Sequence, residues 1–319
     1  MSLAAAEGEI TCLLGASGCG KSTLLNLAAG LLEVQQGSIH LGGDILADPS
    51  RNPPPEKRPV GLVFQDGALF PHMTLAQNVG FGLPRGERDR AESWLEQVGL
   101  AGLGGRYPHE LSGGQQQRAA LARAMAPGPQ VLLMDEPFAS VDIVLRRRLR
   151  RDCRILLRER GATALLVTHD PSEALDIADR IAVMEAGRIV QFGTPAELHD
   201  APATASVGAI FRGSQIVPAE RAGDDLQTAF GTWPRACIAG DLPESPKLEL
   251  LVSADRIDLH PDPDGLPVRD IQPLGEGHRV LLNAGQGLEI TIETSAPVAP
   301  GERYRAMPHA ASVRAFAPT

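Results

Sequence analysis

The sequence contains no apolar run that approaches the ~20 residues required by a membrane-spanning helix. Its first residues, MSLAAAEGEI, have neither a basic segment nor a long apolar core, so they do not form a secretory signal. We therefore expect a cytoplasmic chain that reaches a membrane only through partner proteins.

Cysteine is scarce, and the few present form no C-x-x-C pair and have no histidine at a zinc-binding spacing. The spacing therefore does not support a zinc site, and we expect reduced thiols in a reducing compartment. The cysteines are Cys12, Cys19, Cys153 and Cys237.

Basic residues are outnumbered, because 30 lysines and arginines face 39 aspartates and glutamates, for a formal net charge of −9. Nucleic-acid binding requires a basic face that neutralises phosphates, so we expect no nucleic-acid partner. The length of 319 residues suggests about two domains, and a hydrophobic fraction of 43% is ordinary for a globular core.

Short apolar runs alternate with helical patterns through most of the chain. Buried strands are expected at 10–14, 131–135 and 163–168, with a helix at 21–31 and a mostly helical stretch from 73 to 126. This alternation predicts an α/β fold in which helices cover a largely parallel sheet.

The composition changes near Gly213. Beyond it the chain is rich in proline, glycine and aspartate, and its short alternating segments, such as LELLVS and LEITIE, are typical of a small β-barrel. The predicted domains are therefore 1–212 and 213–319.

The segment GASGCGKS, from Gly15 to Ser22, matches the phosphate-binding loop pattern and lies between a predicted strand and a predicted helix. Its glycines allow backbone N–H groups to turn inward toward an anion, and the helix N-terminus adds partial positive charge. Lys21 is expected on the outer phosphates, Ser22 on Mg²⁺ and Thr23 on an inner phosphate. The expected nucleotide-binding residues here are Gly15, Ser17, Gly18, Cys19, Gly20, Lys21, Ser22 and Thr23.

An acidic pair follows the apolar strand VLLMD. Asp135 lies at the strand's carboxyl end, where ligands collect in parallel sheets, and is expected to bind Mg²⁺. Glu136 is placed to act as the general base for the attacking water. The pair alone would also suit a simple strand cap before Pro137; the phosphate loop favours the catalytic interpretation.

A second anion-binding turn occurs in the segment LSGGQQQR, from Leu111 to Arg118. Ser112 is a good N-cap, and two glycines expose backbone N–H groups where a helix begins. An ordinary capped helix would explain the string by itself. One phosphate loop does not need a second anion site, whereas a head-to-tail dimer does.

These segments resemble the ABC ATPases, whose LSGGQ signature is intact here. The resemblance implies a P-loop NTPase domain with a helical subdomain, followed by a small β-barrel of the OB or TOBE type. It also implies a homodimer in which ATP and Mg²⁺ lie between Lys21 of one copy and the signature turn of the other. The signature residues expected to bind nucleotide are Ser112, Gly113, Gly114 and Gln115.

The resemblance assigns three further residues. Gln65, at the end of the expected strand GLVFQ, resembles the glutamine that contacts Mg²⁺ and relays ATP occupancy to membrane subunits. His169 resembles the switch histidine at the γ-phosphate, and Asp142 resembles the acidic end of the D-loop. The D-loop departs from the family pattern because it reads Ala-Ser-Val-Asp over 139–142.

A second departure is the absence of an aromatic residue or histidine before the phosphate loop, where family members carry an aromatic residue that stacks on adenine. Base–aromatic stacking can be worth ~1–3 kcal/mol per base. We expect a longer native start to restore affinity for ATP.

The segment 64–83 resembles the part of importer ATPases that docks a coupling helix of the membrane subunit. The residues expected to line an apolar groove there are Phe70, Met73, Leu75, Val79 and Phe81, and packing within the helical core is the alternative for them. The resemblance implies two permease subunits and, indirectly, a periplasmic substrate-binding protein. It is strongest toward ferric-iron importers, with polyamine, thiamine, sulfate and molybdate importers as near neighbours.

Eight arginines lie between 146 and 160, and we expect them to form a solvated helix face. The leading hypothesis is an ATPase that energises an importer from the cytoplasmic face of the membrane. The alternatives are a soluble ABC ATPase acting on DNA or ribosomes, and a regulatory module that binds ATP without hydrolysing it.

Overall fold

The computed structural model describes residues 1–139, 141–285 and 287–318, and the side chains of Ile143 and Val144 also lie outside the description. The chain forms two compact units, Met1–Pro195 and Ala196–Thr319. No helix within the described residues has the length and apolar character needed to cross a membrane.

The first unit is built on one six-stranded sheet and one small hairpin. Its strands are β1 (Ile10–Leu14), β2 (Ile39–Leu41), β3 (Asp44–Ala47), β4 (Val60–Val63), β5 (Val131–Asp135), β6 (Thr163–Thr168), β7 (Arg180–Glu185) and β8 (Arg188–Gly193). The sheet order is β4-β5-β6-β1-β7-β8, and β2 pairs with β3 separately. All neighbours in the large sheet run parallel except β7 and β8. The predicted parallel sheet is confirmed.

Helices flank these strands. They are α1 (Lys21–Ala29), α2 (Leu75–Val79), α3 (Arg90–Gln97), α4 (Gly113–Met125), α5 (Ile143–Glu159) and α6 (Pro171–Ile177). Helix α1 ends earlier than predicted because Gly30 adopts a φ of 82°, and its N–H bonds back to the carbonyls of Asn26 and Leu27.

The stretch 73–126 is less helical than predicted. Only α2, α3 and α4 are α-helices there, and turns and short 3₁₀ segments join them. Gly99 and Gly102 adopt φ values of 72° and 74°, which end α3 and redirect the chain. A periodic apolar pattern cannot reveal such interruptions, because the apolar side chains on both sides of a turn still pack into one core.

The parallel sheet determines where the candidate site residues of the first unit collect. Strands β1, β4, β5 and β6 run in one direction, so the loops that follow them leave the same edge. Those loops carry the glycine loop after β1, Gln65 after β4, Asp135 and Glu136 at the end of β5, and His169 after β6. Ligands bind at the carboxyl edge of parallel sheets, so this edge is the candidate site.

The second unit is mainly antiparallel. It contains α8 (Ala205–Arg212), and α7 (Pro195–Asp200) begins at the division between the units. Its strands are β9 (Gln215–Ala222), β10 (Asp225–Thr228), β11 (Gly231–Trp233), β12 (Lys247–Val252), β13 (Ile257–Leu274), β14 (Gly277–Gly285), β15 (Leu288–Thr294), β16 (Arg303–Pro308) and β17 (Arg314–Phe316). They form sheets of order β11-β10-β9-β12-β17 and β15-β14-β13-β16.

The two sheets of this unit share one hydrophobic core, which agrees with the predicted barrel-type domain. Trp233 is fully buried in it, and its indole Nε1 donates to the Ala306 carbonyl at 3.0 Å. The predicted limits, 1–212 and 213–319, remain a prediction. The compact unit itself starts before Gly213, since α8 packs on β12, where a side chain at Gly208 would lie 2.3 Å from Leu251.

Candidate nucleotide site

The glycine loop after β1 has the backbone geometry of an anion-binding site. A Cβ on Gly15 would lie 2.3 Å from the Met184 carbonyl oxygen, so only glycine fits there. Gly18 and Gly20 have φ values of 82° and 104°, which glycine adopts without strain. Gly20 is the N-cap of α1, so no side chain caps the first amides of this helix. Those amides are available to phosphate oxygens.

Lys21, the first residue of α1, is folded into the loop and only 5% exposed. Its Nζ donates hydrogen bonds to the carbonyls of Gly15 at 2.8 Å and Ala16 at 2.9 Å, and lies 3.8 Å from the Cys19 sulfur. Neutral carbonyls are weaker partners for an ammonium group than phosphate oxygens are. The loop therefore holds a full positive charge beside the amides that would receive an anion.

Ser22 and Asp135 meet where α1 approaches the end of β5. The Ser22 hydroxyl donates to Asp135 Oδ1 at 3.2 Å. Burial raises the pKa of the Asp135 carboxyl above its usual value, and the hydrogen bond from Ser22 opposes that shift. A hydroxyl oxygen and a partly desolvated carboxylate are hard donors of the kind that Mg²⁺ prefers, so the residues fit this ion.

Gln65 does not end its strand as predicted. Strand β4 stops at Val63, and Gln65 lies exposed in the following turn, where the Gly67 N–H bonds to the Phe64 carbonyl at 2.9 Å. The sequence pattern could not place this end, because Phe64 extends the apolar run of the strand although it is itself 39% exposed.

Glu136 has a strained backbone that aims its side chain across the sheet edge. Its φ is 43°, in the left-handed region that non-glycine residues rarely adopt. Its N–H bonds to the Val167 carbonyl at 2.9 Å, which ties the turn after β5 to β6. Its Oε1 lies 2.9 Å from Nδ1 of His169. A carboxylate held this way can accept a proton from a nearby water.

His169 is held in place from both sides along the chain. The Thr168 hydroxyl accepts from the Asp170 N–H at 3.0 Å and donates to Glu173 Oε2 at 2.8 Å. Asp170 caps α6 by accepting from the Ser172 N–H at 2.9 Å. The residues on both sides of His169, Thr168 and Asp170, are therefore held by hydrogen bonds, and these fix the backbone that carries the imidazole.

A buried arginine completes this anchor, and the sequence analysis missed it. Arg150 on α5 is 5% exposed, forms an ion pair with Asp170, and lies 3.3 Å from Asp176 and 3.8 Å from Glu173. Arg154 and Arg158 likewise pair with Asp179. The prediction of a solvated arginine face is thus wrong for Arg150, which is buried, whereas Arg154 is partly exposed and Arg158 is exposed. The sequence did contain one indication of this: Arg150, Arg154 and Arg158 are four residues apart, which places them on the same face of a helix.

Glu173 makes folding stability depend on pH. Burial raises the pKa of Glu173 to about 7, against an ordinary value of 4.5, although Thr168 and Arg150 oppose the shift. The folded state then binds this proton more tightly than the unfolded state, so stability falls as pH rises from about 4.5 to about 7. The full shift corresponds to about 3 kcal/mol.

Glu173→Gln removes that titration. We expect the unfolding free energy of the variant, relative to that of the unsubstituted chain, to increase by about 3 kcal/mol as the pH rises from 4.5 to 8. Urea unfolding of both proteins at the two pH values measures the gain. A difference in unfolding free energy that is the same at both values would contradict this assignment.

The signature turn is a capped helix start, as predicted. The Ser112 N–H donates to Gln115 Oε1 at 3.0 Å, and the Gln115 N–H donates to Ser112 Oγ at 3.4 Å. Ser112 and Gly113 are exposed. Gly114 is buried, and a Cβ there would lie 2.7 Å from Leu145 Cδ2, so its lack of a side chain lets α4 approach α5.

The signature turn stands apart from the phosphate loop within one chain. In the part of the chain that the structure describes, no hydrogen bond or ion pair joins Ser112, Gly113 or Gly114 to the loop or to the acidic pair. Asp142 accepts from the Leu145 N–H at 3.2 Å, near the start of α5. Ser140, where the D-loop departs from the family pattern, lies outside the described residues.

The predicted docking groove is only partly accessible. Leu75 and Val79 are fully buried, so the expectation that they line a surface groove is wrong. Helix α2 turns these two positions toward α3 and α4. Phe81 is 55% exposed, and its ring lies 4.7 Å from that of the partly buried Phe70. For Phe70, Met73 and Phe81 docking remains a prediction.

The chain is similar in sequence to proteins of known function. A family model described as "ABC transporter" matches residues 1–139. A sulfate/thiosulfate import ATP-binding protein of Chromobacterium violaceum, CysA 2, is 46% identical over 82% of this chain and 71% of its own length. Two Fe(3+) ions import ATP-binding proteins, FbpC of Mesorhizobium japonicum and of Agrobacterium fabrum, are 43% and 46% identical. They cover 82% and 73% of this chain and 71% and 67% of their own lengths.

The chain is also similar to the solved structure of an ATP-binding cassette. It is described as a dimeric, post-hydrolysis state of the ATP-binding cassette MJ0796 bound to ADP and Pi. It is 31% identical to this chain, with a TM-score of 0.51, and the match covers 60% of this chain and 88% of the other. With the glycine loop, the acidic pair and the capped signature turn in place, the chain belongs to the ABC transporter family, among the ATP-binding subunits of importers.

Proposed function

We propose that this chain energises a ferric-iron importer by hydrolysing ATP at sites shared between two copies of itself. The ATPase activity follows from family membership; the cargo and the roles of individual residues are the proposal. Support for iron comes from several Fe(3+) import relatives at 43% to 48% identity. A sulfate/thiosulfate import relative at 46% identity makes sulfate the second candidate.

In the proposed site the glycine loop receives the phosphates. The amides at the start of α1 would donate to the inner phosphate oxygens, and Lys21 would exchange its two carbonyl partners for the outer phosphates. Ser22, Asp135 and Gln65 would hold Mg²⁺. When bound, this ion supplies positive charge that stabilises the phosphate oxygens as negative charge develops on them.

The hydrolytic step is assigned to Glu136 and His169. Glu136 takes a proton from the attacking water while its carboxylate stays oriented by the 2.9 Å contact with His169. The anchor formed by Thr168, Asp170 and Arg150 keeps the imidazole at the γ-phosphate. Because these groups are preorganised, little reorganisation is required when the nucleotide enters.

The observation that carries the shared-site proposal is the position of the signature turn. Ser112 and Gly113 are exposed at a helix start that, within the described residues, makes no hydrogen bond or ion pair with the phosphate loop of its own chain. A helix start with free amides suits an anion, and the γ-phosphate of a second copy would provide one. Gly114, Gln115 and Asp142 would complete that contact.

Membrane coupling is proposed through the surface of Phe70, Met73 and Phe81. Two permease subunits would present helices to it, and a periplasmic binding protein would deliver the cargo to them. The exposed Phe81 packs on the partly buried Phe70, and such aromatic surface is the chemistry that receives an apolar helix face.

The cargo is tested by uptake in the native host. We expect replacement of the chain by its Glu136→Gln variant to lower uptake of radioactive ferric iron by about tenfold or more, and to leave sulfate uptake unchanged, since turnover drives transport. Loss of sulfate uptake alone would select the second candidate. Unchanged uptake of both would contradict the importer assignment for these cargoes.

A further inference from the structure

A cavity of about 310 Å³ lies in the first unit, away from the glycine loop. It opens to solvent on one side and is lined by the end of α3, helix α4, strand β5 and helix α5. Its inner wall is apolar, because Met134, Phe138 and Leu149 are each at most 2% exposed. The volume is at the lower end of the range for small-molecule sites, and a buried apolar wall favours an apolar guest.

Two polar side chains of α4, Gln117 and Arg118, line the same cavity. Gln117 is 4% exposed, and in the described part of the chain its side-chain amide makes no hydrogen bond. The Nε of Arg118 is buried and likewise unpartnered among the described residues. The Arg118 Nε is thus a buried donor left unsatisfied among the described residues, which costs stability, and native proteins rarely retain one without a ligand or a water at the site.

The charge of the cavity favours an anion. Arg148 and Asp152 stand at the more exposed rim, where their charges are 3.9 Å apart and offset each other. Arg118 has no ion pair with any described residue, so its guanidinium remains the uncompensated charge. A guanidinium recognises a carboxylate through charge-assisted hydrogen bonds.

We propose that this cavity binds a small apolar molecule that carries one carboxylate. The carboxylate accepts from Arg118 and Gln117, and the apolar body lies against Met134, Phe138 and Leu149. This ligand site goes beyond the proposed ATPase function and does not require ATP. It lies between α4, which starts at the signature turn, and β5, which ends at Asp135.

The test uses two probes of similar shape, 2-naphthoate and its neutral analogue 2-naphthylmethanol, with the purified full-length chain. We expect 2-naphthoate to bind with a Kd on the order of 0.1 to 1 mM, and the neutral analogue to bind about tenfold more weakly. Ligand-detected NMR measures both. This comparison tests the charge requirement on the unsubstituted chain, so it does not depend on whether a variant folds.

Substitutions then locate the site. We expect Arg118→Met to weaken 2-naphthoate about tenfold and Leu121→Phe, which adds bulk to the cavity wall, to abolish binding. Arg147→Met is the matched control, since Arg147 is exposed on α5 outside the cavity lining, and it should bind normally. The proposal is overturned if 2-naphthoate does not bind, or if the neutral analogue or the Arg118 variant binds equally well.

Discussion

Replacing Glu136 by Gln is expected to lower ATP turnover by about two to four orders of magnitude while leaving ATP binding intact. The amide keeps the size of the side chain and can still bond to Nδ1 of His169, which lies 2.9 Å from the carboxylate. It cannot accept the proton of the attacking water. Steady-state release of phosphate and equilibrium binding of labelled ATP measure the two effects separately.

The same variant should accumulate an ATP-dependent dimer. If nucleotide is enclosed between the loop of one copy and the Ser112 turn of another, blocking hydrolysis keeps both contacts in place. Light scattering after size-exclusion chromatography, with and without ATP, detects the change in mass. Glu159→Gln is the control because Glu159 is exposed at the end of α5. A Glu136→Gln protein that stays monomeric at saturating ATP would refute the shared site.

Lys21→Ala is expected to weaken ATP binding by about a hundredfold or more. Lys21 is the charge that the glycine loop already holds between the Gly15 and Ala16 carbonyls, and a charge-assisted bond to phosphate is worth about twice a neutral one. Without it the loop retains only its backbone amides and the helix terminus. Equilibrium binding of labelled ATP measures the loss.

Because Lys21 is buried, its removal also needs a folding control. Lys57→Ala removes the same group at an exposed position, and its ATP binding should be unchanged. Circular dichroism and thermal unfolding of both variants confirm that the fold persists. Normal turnover in a folded Lys21→Ala protein would mean that another loop binds the phosphates.

Much of the fold could be predicted because it depends on local patterns. Apolar runs bounded by glycine located β1, β5 and β6, and the capped turn at Ser112 followed from side-chain chemistry alone. The predictions failed where a side chain's environment depends on distant segments. Leu75 and Val79 look like surface-groove residues by sequence, yet α3 and α4 cover them completely.

The arginine-rich helix shows the same limit. Its charge suggested solvent, but Arg150 is buried beside Asp170, Asp176 and Glu173, all of which lie on or beside α6. Burial of a charge is stabilised only when partners from other elements surround it. Those partners lie 20 or more residues away from Arg150 along the chain, so the residues near Arg150 in the sequence do not reveal them.

The sequence by itself determined the strand–loop–helix around Lys21, the acidic pair after β5 and the capped turn at Ser112. Each depends on bonds between near neighbours in the chain. Tertiary structure alone decided that Glu136 reaches His169, that Arg150 anchors the segment behind it, and that Arg118 lines a cavity with its Nε buried and unpartnered among the described residues. These features require side chains from separate elements to meet, and only the packing of sheet and helices determines those distances.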